Sequence, residues 1–147
     1  MKKTVMGAAG AVGGFIMTLF GGWTTAMTTL LIFMGIDWIS GMICAGIFKA
    51  SSKTENGGLS SKVGFRGLSK KCMILLFVLV GARLDLIIGV PYIRDAVCVA
   101  FIMNELISII ENAGLMGVPV PKAIAGALDA LQDGKNGVKN ENDQNNA

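Results

Sequence analysis

Two charged side chains of opposite sign, Asp37 and Arg83, lie within long apolar stretches of the sequence. Asp37 is 12 residues before Lys49, and Arg83 is 12 residues after Lys71. On helices that rise 1.5 Å per residue, both charges lie roughly 18 Å from a basic anchor. In hydrocarbon a lone charge costs about 2.5–3.5 kcal/mol, and pairing makes it tolerable. The spacing therefore predicts an ion pair between Asp37 and Arg83, within one subunit or between neighbours. The alternative is that Arg83 extends to the outer surface and Asp37 is protonated.

A polar stripe follows one face of the last apolar stretch. On a helix that advances 100° per residue, five polar side chains fall within an arc of roughly 120°. They are Asn104, Glu105, Ser108, Glu111 and Asn112. Such a stripe is costly against lipid, so it is predicted to face other helices or water. A solvated helix end would explain Glu111 and Asn112 but not Glu105, and we expect a water-facing or subunit-facing role for Asn104 and Glu105.

The residue types do not indicate catalysis or metal binding. The sequence has no His, and Cys44, Cys72 and Cys98 are 28 and 26 residues apart, which fits no zinc or redox motif. We expect these cysteines to be reduced and to act as small apolar side chains. We predict no enzyme activity, no cofactor and no metal site.

The composition indicates that membrane helices position these residues. Of the 147 residues, 52% are apolar and only 16% are charged, and the mean hydropathy is +0.61. A soluble domain of this size exposes too much of its surface to keep such a composition in solution. Four apolar segments are predicted to be helical, at about residues 5–20, 23–48, 72–90 and 95–113. The last three reach or approach the roughly 20 residues that a spanning helix needs, and the short first segment either spans or lies in the interface. The predicted fold is an all-α integral membrane protein with three to four transmembrane helices in a single domain, residues 1–132.

A basic segment, residues 49–71, sets the predicted topology. Against the single acidic residue Glu55 it carries six cations: Lys49, Lys53, Lys62, Arg66, Lys70 and Lys71. By the positive-inside rule it is a cytoplasmic loop, and two lysines at the N-terminus favour a cytoplasmic N-terminus as well. The connection between the third and fourth segments is short and nearly neutral. With four spans the C-terminus is also cytoplasmic. The net charge of +3 is too small to indicate a nucleic-acid partner.

Two further elements follow the last apolar segment. Glycines and prolines in "ENAGLMGVPVPK" end that helix. A short amphipathic helix is predicted over about residues 121–132, with Pro121 in its first turn. The polar tail, residues 133–147, is predicted to be disordered.

Small residues four positions apart favour close contact between helices. Gly10 and Gly14 form one such pair, and Gly41 and Ala45 form another. Pairs of this kind let helix backbones approach each other in lipid. They favour a homo-oligomer.

Three motifs, in order along the chain, resemble those of a known family. "DWISG" at residues 37–41 is followed by "LSSKVGFRGLSKK" at 59–71 and by "NELISIIENAGLMGVPVPK" at 104–122, and "ALDAL" follows at 127–131. In this combination the sequence resembles the phage holin family that includes the clostridial toxin-release holins. The resemblance covers roughly residues 20–132.

The resemblance implies a small phage or prophage protein that accumulates in the host's cytoplasmic membrane. It would oligomerise and, at a set time, form lesions that release an endolysin or another folded protein. Its partners would be itself and the lipid bilayer, and direct contact with the endolysin is not implied. The residues leave two other functions open. One is a small ion or proton channel or transporter that uses Asp37, Arg83 and Glu105, and the other is a membrane adaptor that recruits a soluble partner.

Overall fold

The computed structural model of the chain describes residues 1–131, which form helices and the segments that connect them. The helices are α1 (Lys2–Leu19), α2 (Thr25–Gly46), α3 (Ser61–Ile88), α4 (Ile93–Leu115) and α5 (residues 122–131). The described part of the chain contains no strand, so the all-α class is confirmed. The tail that the sequence predicts to be disordered, residues 133–147, lies outside the described residues.

A glycine turn separates α1 from α2. Gly21 and Gly22 both have positive φ angles, 67° and 95°, a backbone conformation that residues with a Cβ rarely adopt. The Gly22 N–H donates to the carbonyl of Met17 at 2.9 Å, which closes the last turn of α1 in the manner of a Schellman cap. On the other side of the turn, the Thr24 hydroxyl accepts from the Met27 N–H at 3.4 Å and caps the start of α2.

By length and composition, α2 is the one helix among residues 1–131 that can cross a membrane. It has 22 residues, which correspond to about 33 Å, slightly more than the roughly 30 Å hydrocarbon core of a bilayer. The number of spans and the side on which each terminus lies stay predictions.

The first part of α3 occupies a segment that the charge pattern assigns to a loop. Residues 61–71 are helical, and only residues 47–60 connect α2 to α3. This segment contains no proline, and Lys, Arg and Leu are good helix formers. Because extending an existing helix costs much less than nucleating a new one, the apolar helix continues into the basic segment. The positive-inside rule reports where charges lie and carries no information on backbone conformation.

The chain divides into two compact units. Unit 1 comprises Met1–Gly35 and Ser61–Ile102. Its core is formed by buried side chains from α2, α3 and α4: Met27, Leu30, Met34, Val78 and Cys98. The α1 helix has no buried residue.

Unit 2 comprises Ile36–Ser60 and Met103–Ala147, of which residues up to 131 are described. Cys44 and Ala45 of α2 are buried. The tip of the Leu59 side chain lies so close to Gly46 that an added Cβ would be 3.1 Å from it. The segment that connects α2 to α3 therefore folds back against the end of α2.

Candidate functional site

A group of buried or half-buried polar side chains joins α2 to α4 in unit 2. We call it the polar cluster, and it consists of Asp37, Ser40, Ser108 and Asn112. The Ser108 hydroxyl donates to Asp37 Oδ1 at 2.5 Å. The Asn112 Nδ2 donates to Ser40 Oγ at 2.9 Å and to Asp37 Oδ1 at 3.3 Å. The Ser40 hydroxyl in turn donates to the Asp37 carbonyl at 3.1 Å.

Helical spacing brings these side chains together. Asp37 and Ser40 are three residues apart on α2, and Ser108 and Asn112 are four apart on α4, so each pair lies on one face of its helix. Gly41 follows on the same face of α2, and a Cβ added there would lie 3.6 Å from Asn112 Nδ2. The lack of a side chain at Gly41 therefore leaves room for the Asn112 amide beside the backbone of α2.

The polar cluster stabilises a carboxylate inside apolar surroundings. Asp37 is 8% exposed and Asn112 is 5% exposed. A buried charge is costly unless hydrogen bonds compensate it, and bonds to a charged acceptor are the stronger ones. The Lys53 ammonium lies 3.4 Å from Ser108 Oγ and donates to it. The Ser108 hydroxyl thus stands between a cation and the Asp37 carboxylate.

The polar stripe of α4 is divided between the inside and the outside of the fold. Glu105, one turn before Ser108, is 5% exposed, and Asn112 is equally buried. Asn104 and Glu111 are exposed. Three members of the stripe, Glu105, Ser108 and Asn112, therefore share the inward side of the helix, and two members do not.

The predicted pairing of Asp37 with Arg83 stays a prediction. Asp37 belongs to unit 2, and Arg83, whose side chain is exposed, belongs to unit 1. A double-mutant cycle tests the pairing. If Asp37→Asn and Arg83→Gln together are no milder than the sum of the two single changes, the residues do not pair.

The structure contains a second polar group, in unit 1, that the sequence analysis did not identify. The Arg94 Nη1 donates to the carbonyl oxygens of Phe20 at 2.7 Å and Gly22 at 3.1 Å. Its Nε donates to Asp95 Oδ1 at 3.1 Å, and the Thr24 hydroxyl donates to the same oxygen at 3.1 Å. We call this group the turn clamp, because it attaches the start of α4 to the glycine turn between α1 and α2.

The Asp85 carboxylate caps α4 from the neighbouring helix. Its Oδ1 accepts from the Ile93 N–H at 2.7 Å, and its Oδ2 accepts from the Arg94 N–H at 3.1 Å. A carboxylate is well placed there, since the first N–H groups of a helix lack partners within the helix and carry partial positive charge. The charge pattern did not indicate these features, because Arg94 and Asp95 cancel when summed over the predicted connection and Asp85 lies within the third apolar segment.

The remaining candidate residues are mostly on the surface. The glycines of the α1 pair, Gly10 and Gly14, have open space where a Cβ would be. In the basic segment Lys71 is half-buried, whereas the other five cations are exposed. Among residues 1–131 there is no group of three or more His, Cys, Asp or Glu side chains that could hold a metal ion.

Comparison with known proteins identifies relatives over most of the chain. The sequence profile of the bacteriophage holin family matches residues 14–133. An uncharacterised protein of Clostridium perfringens is 36% identical over 130 residues, which are 87% of this chain and 90% of the relative. An uncharacterised protein of Listeria innocua is 38% identical over 133 residues, 90% of this chain and 86% of the relative. No solved structure matches the chain.

Proposed function

Because the chain belongs to the bacteriophage holin family, we propose that it forms timed lesions in the bacterial cytoplasmic membrane. The lesions would release an endolysin or another folded protein for host lysis. Membership of this family implies a protein of the cytoplasmic membrane, and the family is not a family of enzymes. The proposed arrangement is a multi-pass homo-oligomer with both termini in the cytoplasm.

The polar cluster is the observation that carries the proposal. It lies on α2, the helix that is apolar enough to span a membrane, and on α4. A lesion that passes a folded protein needs helix faces that can contact water. Before opening, the same faces must be satisfied inside the bilayer, where unpaired polar groups are costly. In the polar cluster the Asp37 carboxylate has hydrogen-bond donors on α4 that water could replace.

This exchange of partners gives the protein a low-cost route between two states. In the closed state, Ser108 and Asn112 satisfy Asp37 within one chain. In the open state, these groups would face an aqueous opening lined by several chains. The membrane potential can bias such an equilibrium, since one charge that crosses 100 mV changes the free energy by about 2.3 kcal/mol. Depolarisation is therefore the proposed trigger.

Self-association is proposed to involve α1. This helix has no buried residue, and its small-residue pair Gly10 and Gly14 faces open space. In lipid, small residues let two helices approach closely enough for their backbones to pack. The basic residues 49–71 would remain on the cytoplasmic side as the assembly forms.

Induced expression in bacteria tests the function. The culture carries the chain alone or together with a cytoplasmic enzyme that degrades the cell wall. Turbidity, membrane potential and release of the enzyme are followed over time. We expect abrupt growth arrest, loss of potential and release of the folded enzyme. Loss of potential without release of the enzyme would indicate a small channel. The absence of both effects would indicate an adaptor.

A matched pair of variants connects the function to the polar cluster. Ser108→Ala removes the hydroxyl that donates to Asp37. The control, Ser69→Ala, removes an exposed hydroxyl whose hydrogen bond is to the Phe65 carbonyl of its own helix. Because weakening the closed state favours opening, Ser108→Ala should bring lysis forward, and Ser69→Ala should leave its time unchanged. Equal lysis times for the two variants would show that the polar cluster does not affect when the lesion opens.

A further inference from the structure

The first three turns of α3 carry an exposed row of positive charges. Lys62, Arg66 and Lys70 follow each other at intervals of four residues, so they lie along one side of the helix. All three are exposed. We call them the basic row. No Asp or Glu occurs between Ser61 and Leu84, so α3 itself offers the row no carboxylate until the far end of the helix.

A row of exposed apolar side chains runs beside the basic row. Phe65, Leu68 and Cys72 are spaced by three and four residues, which places them on one side of the helix. Phe65 is 73% exposed and Leu68 is 51% exposed. Large apolar side chains next to a line of cations are typical of helices that lie at the surface of a bilayer.

The third side of the same turns is the least exposed one. Val63, Gly67 and Lys71 are half-buried and are also spaced by four residues. The basic row and the apolar row both lie on the more exposed sides of the helix. Both rows are exposed and can contact a molecule other than the described part of this chain.

If α3 also crosses the membrane, as the proposed multi-pass arrangement requires, its length would bring the basic row to the depth of lipid headgroups. The helix has 28 residues and is about 42 Å long, whereas the hydrocarbon core of a bilayer is roughly 30 Å thick. The excess of about 12 Å equals the rise from Lys62 to Lys70, eight residues at 1.5 Å each. If the apolar part of α3 lies in hydrocarbon, the basic row extends through the headgroup layer.

We propose that the basic row binds the phosphate groups of anionic phospholipids, while Phe65 and Leu68 insert at the boundary between headgroups and acyl chains. Arg66 presents a planar guanidinium that can bind a phosphate through two parallel hydrogen bonds, and the two lysines act as point charges. This site rests on the membrane location that the proposed function requires, but it does not depend on lesion formation. Each cation near an anionic leaflet strengthens binding about five-fold, so the row shifts the bound-to-free ratio about a hundred-fold.

Fluorescence quenching of the full-length chain in lipid nanodiscs tests this site. Trp23→Phe and Trp38→Phe remove the native tryptophans, and Phe65→Trp puts the only indole in the apolar row. The nanodiscs hold one copy each, in phosphatidylcholine alone or mixed with phosphatidylglycerol. With phosphatidylglycerol, the indole should be shielded from aqueous acrylamide and quenched by brominated acyl chains. At 1 M salt, where the screening length is about 3 Å, the shielding should weaken.

Three further variants separate charge from folding. Replacing Lys62, Arg66 and Lys70 by Gln should abolish the effect of phosphatidylglycerol. A matched control replaces three other exposed lysines, Lys2, Lys3 and Lys122, by Gln and should retain the effect with the same loss of charge. The exchange Lys62→Arg, Arg66→Lys and Lys70→Arg keeps every charge and should also retain it.

Three results would overturn the inference. One is equal acrylamide quenching in neutral and anionic nanodiscs, and a second is equal loss of shielding in the matched control. The third is shielding that appears only when two copies share a nanodisc, since a second chain would then cover the apolar row. The lysis assay is independent. If the indole at position 65 is shielded from acrylamide but expression of the chain does not arrest growth, the lipid site is supported and the lesion proposal is wrong.

Discussion

The Ser108→Ala substitution should weaken the contact between α2 and α4 in unit 2. It removes the hydroxyl that donates to Asp37 Oδ1 at 2.5 Å and accepts from the Lys53 ammonium at 3.4 Å. Hydrogen bonds to charged groups contribute about 1.5–3 kcal/mol in proteins generally. Polar pairs between membrane helices average about 0.6 kcal/mol, with a maximum of about 1.7 kcal/mol. Asp37 keeps the Asn112 amide at 3.3 Å after the change, so its carboxylate is not left without a donor.

These terms set the expected loss of unfolding free energy at about 1.5 kcal/mol, near the upper end for a membrane protein. The measurement is equilibrium unfolding of the purified chain in mixed micelles with increasing dodecyl sulfate, followed by the loss of helical circular dichroism. Ser69→Ala is the control. Its hydroxyl is exposed and bonds only within its own helix, so its effect should stay within about 0.5 kcal/mol.

A double-mutant cycle shows whether the loss comes from the bond to Asp37. Asp37→Asn preserves the shape of the side chain but replaces a charged acceptor by a neutral one, which about halves the strength of the hydrogen bond. The cost of Ser108→Ala should therefore fall by about 0.7 kcal/mol in the Asp37→Asn background. The reasoning is refuted if Ser108→Ala costs no more than Ser69→Ala, or if the two changes at positions 37 and 108 are additive.

Three other stability changes can be measured in the same micelles. Arg94→Gln should cost about 2–4 kcal/mol, because the turn clamp loses charge-assisted bonds to the glycine turn. The exposed Lys122→Gln is its control, and equal losses would contradict the clamp. Gly81→Ala should cost about 1–3 kcal/mol, since the new Cβ would lie 3.0 Å from the backbone of α4. A Cβ added at Gly64 on the same helix meets nothing within 4 Å, so Gly64→Ala should raise the unfolding free energy by up to about 1 kcal/mol. If both glycine substitutions changed the unfolding free energy in the same direction, the close approach at Gly81 would be wrong. Asp85→Ala should cost about 0.5–2 kcal/mol by leaving the first N–H groups of α4 uncapped, and no loss would show that water replaces the carboxylate.

The helical period alone predicts part of the burial pattern of the polar stripe of α4. The 3.6-residue repeat puts Glu105, Ser108 and Asn112 on one side of the helix, and that side is the inward one in the structure. Glu111 lies at one edge of the predicted arc with Asn104 next to it, and both are exposed. The period defines which residues share a face, but the rotation of the helix against its neighbour decides where that face ends.

Counting residues could not show which side chains donate to Asp37. Equal depth favours Arg83, a pairing that stays a prediction, and depth says nothing about which helices are neighbours or how they are rotated. Two neutral side chains within unit 2, Ser108 and Asn112, donate to Asp37. The lack of a side chain at Gly41 leaves room for the Asn112 amide beside α2. A hydrogen bond depends on distances of a few tenths of an ångström, which only packed side chains define.

No sequence pattern indicates the turn clamp, for a related reason. The predicted connection between the third and fourth apolar segments has a nearly neutral summed charge, which hides the separate actions of Arg94 and Asp95. Arg94 reaches back more than 70 residues along the chain to Phe20 and Gly22, and Asp85 acts on the next helix. Long-range contacts of this kind leave no local pattern.

The sequence by itself determined the class of this protein: its apolar composition and helical periods predicted an all-α fold, and three ordered motifs indicated the holin family. These properties depend on sums and repeats along the chain, which need no knowledge of how helices meet. Tertiary structure alone decided that Ser108 and Asn112 donate to Asp37, that Arg94 binds the glycine turn, and that α3 begins at Ser61. Each of these depends on the distance and rotation between elements, and the physical reason is that hydrogen bonds and close packing are short-range.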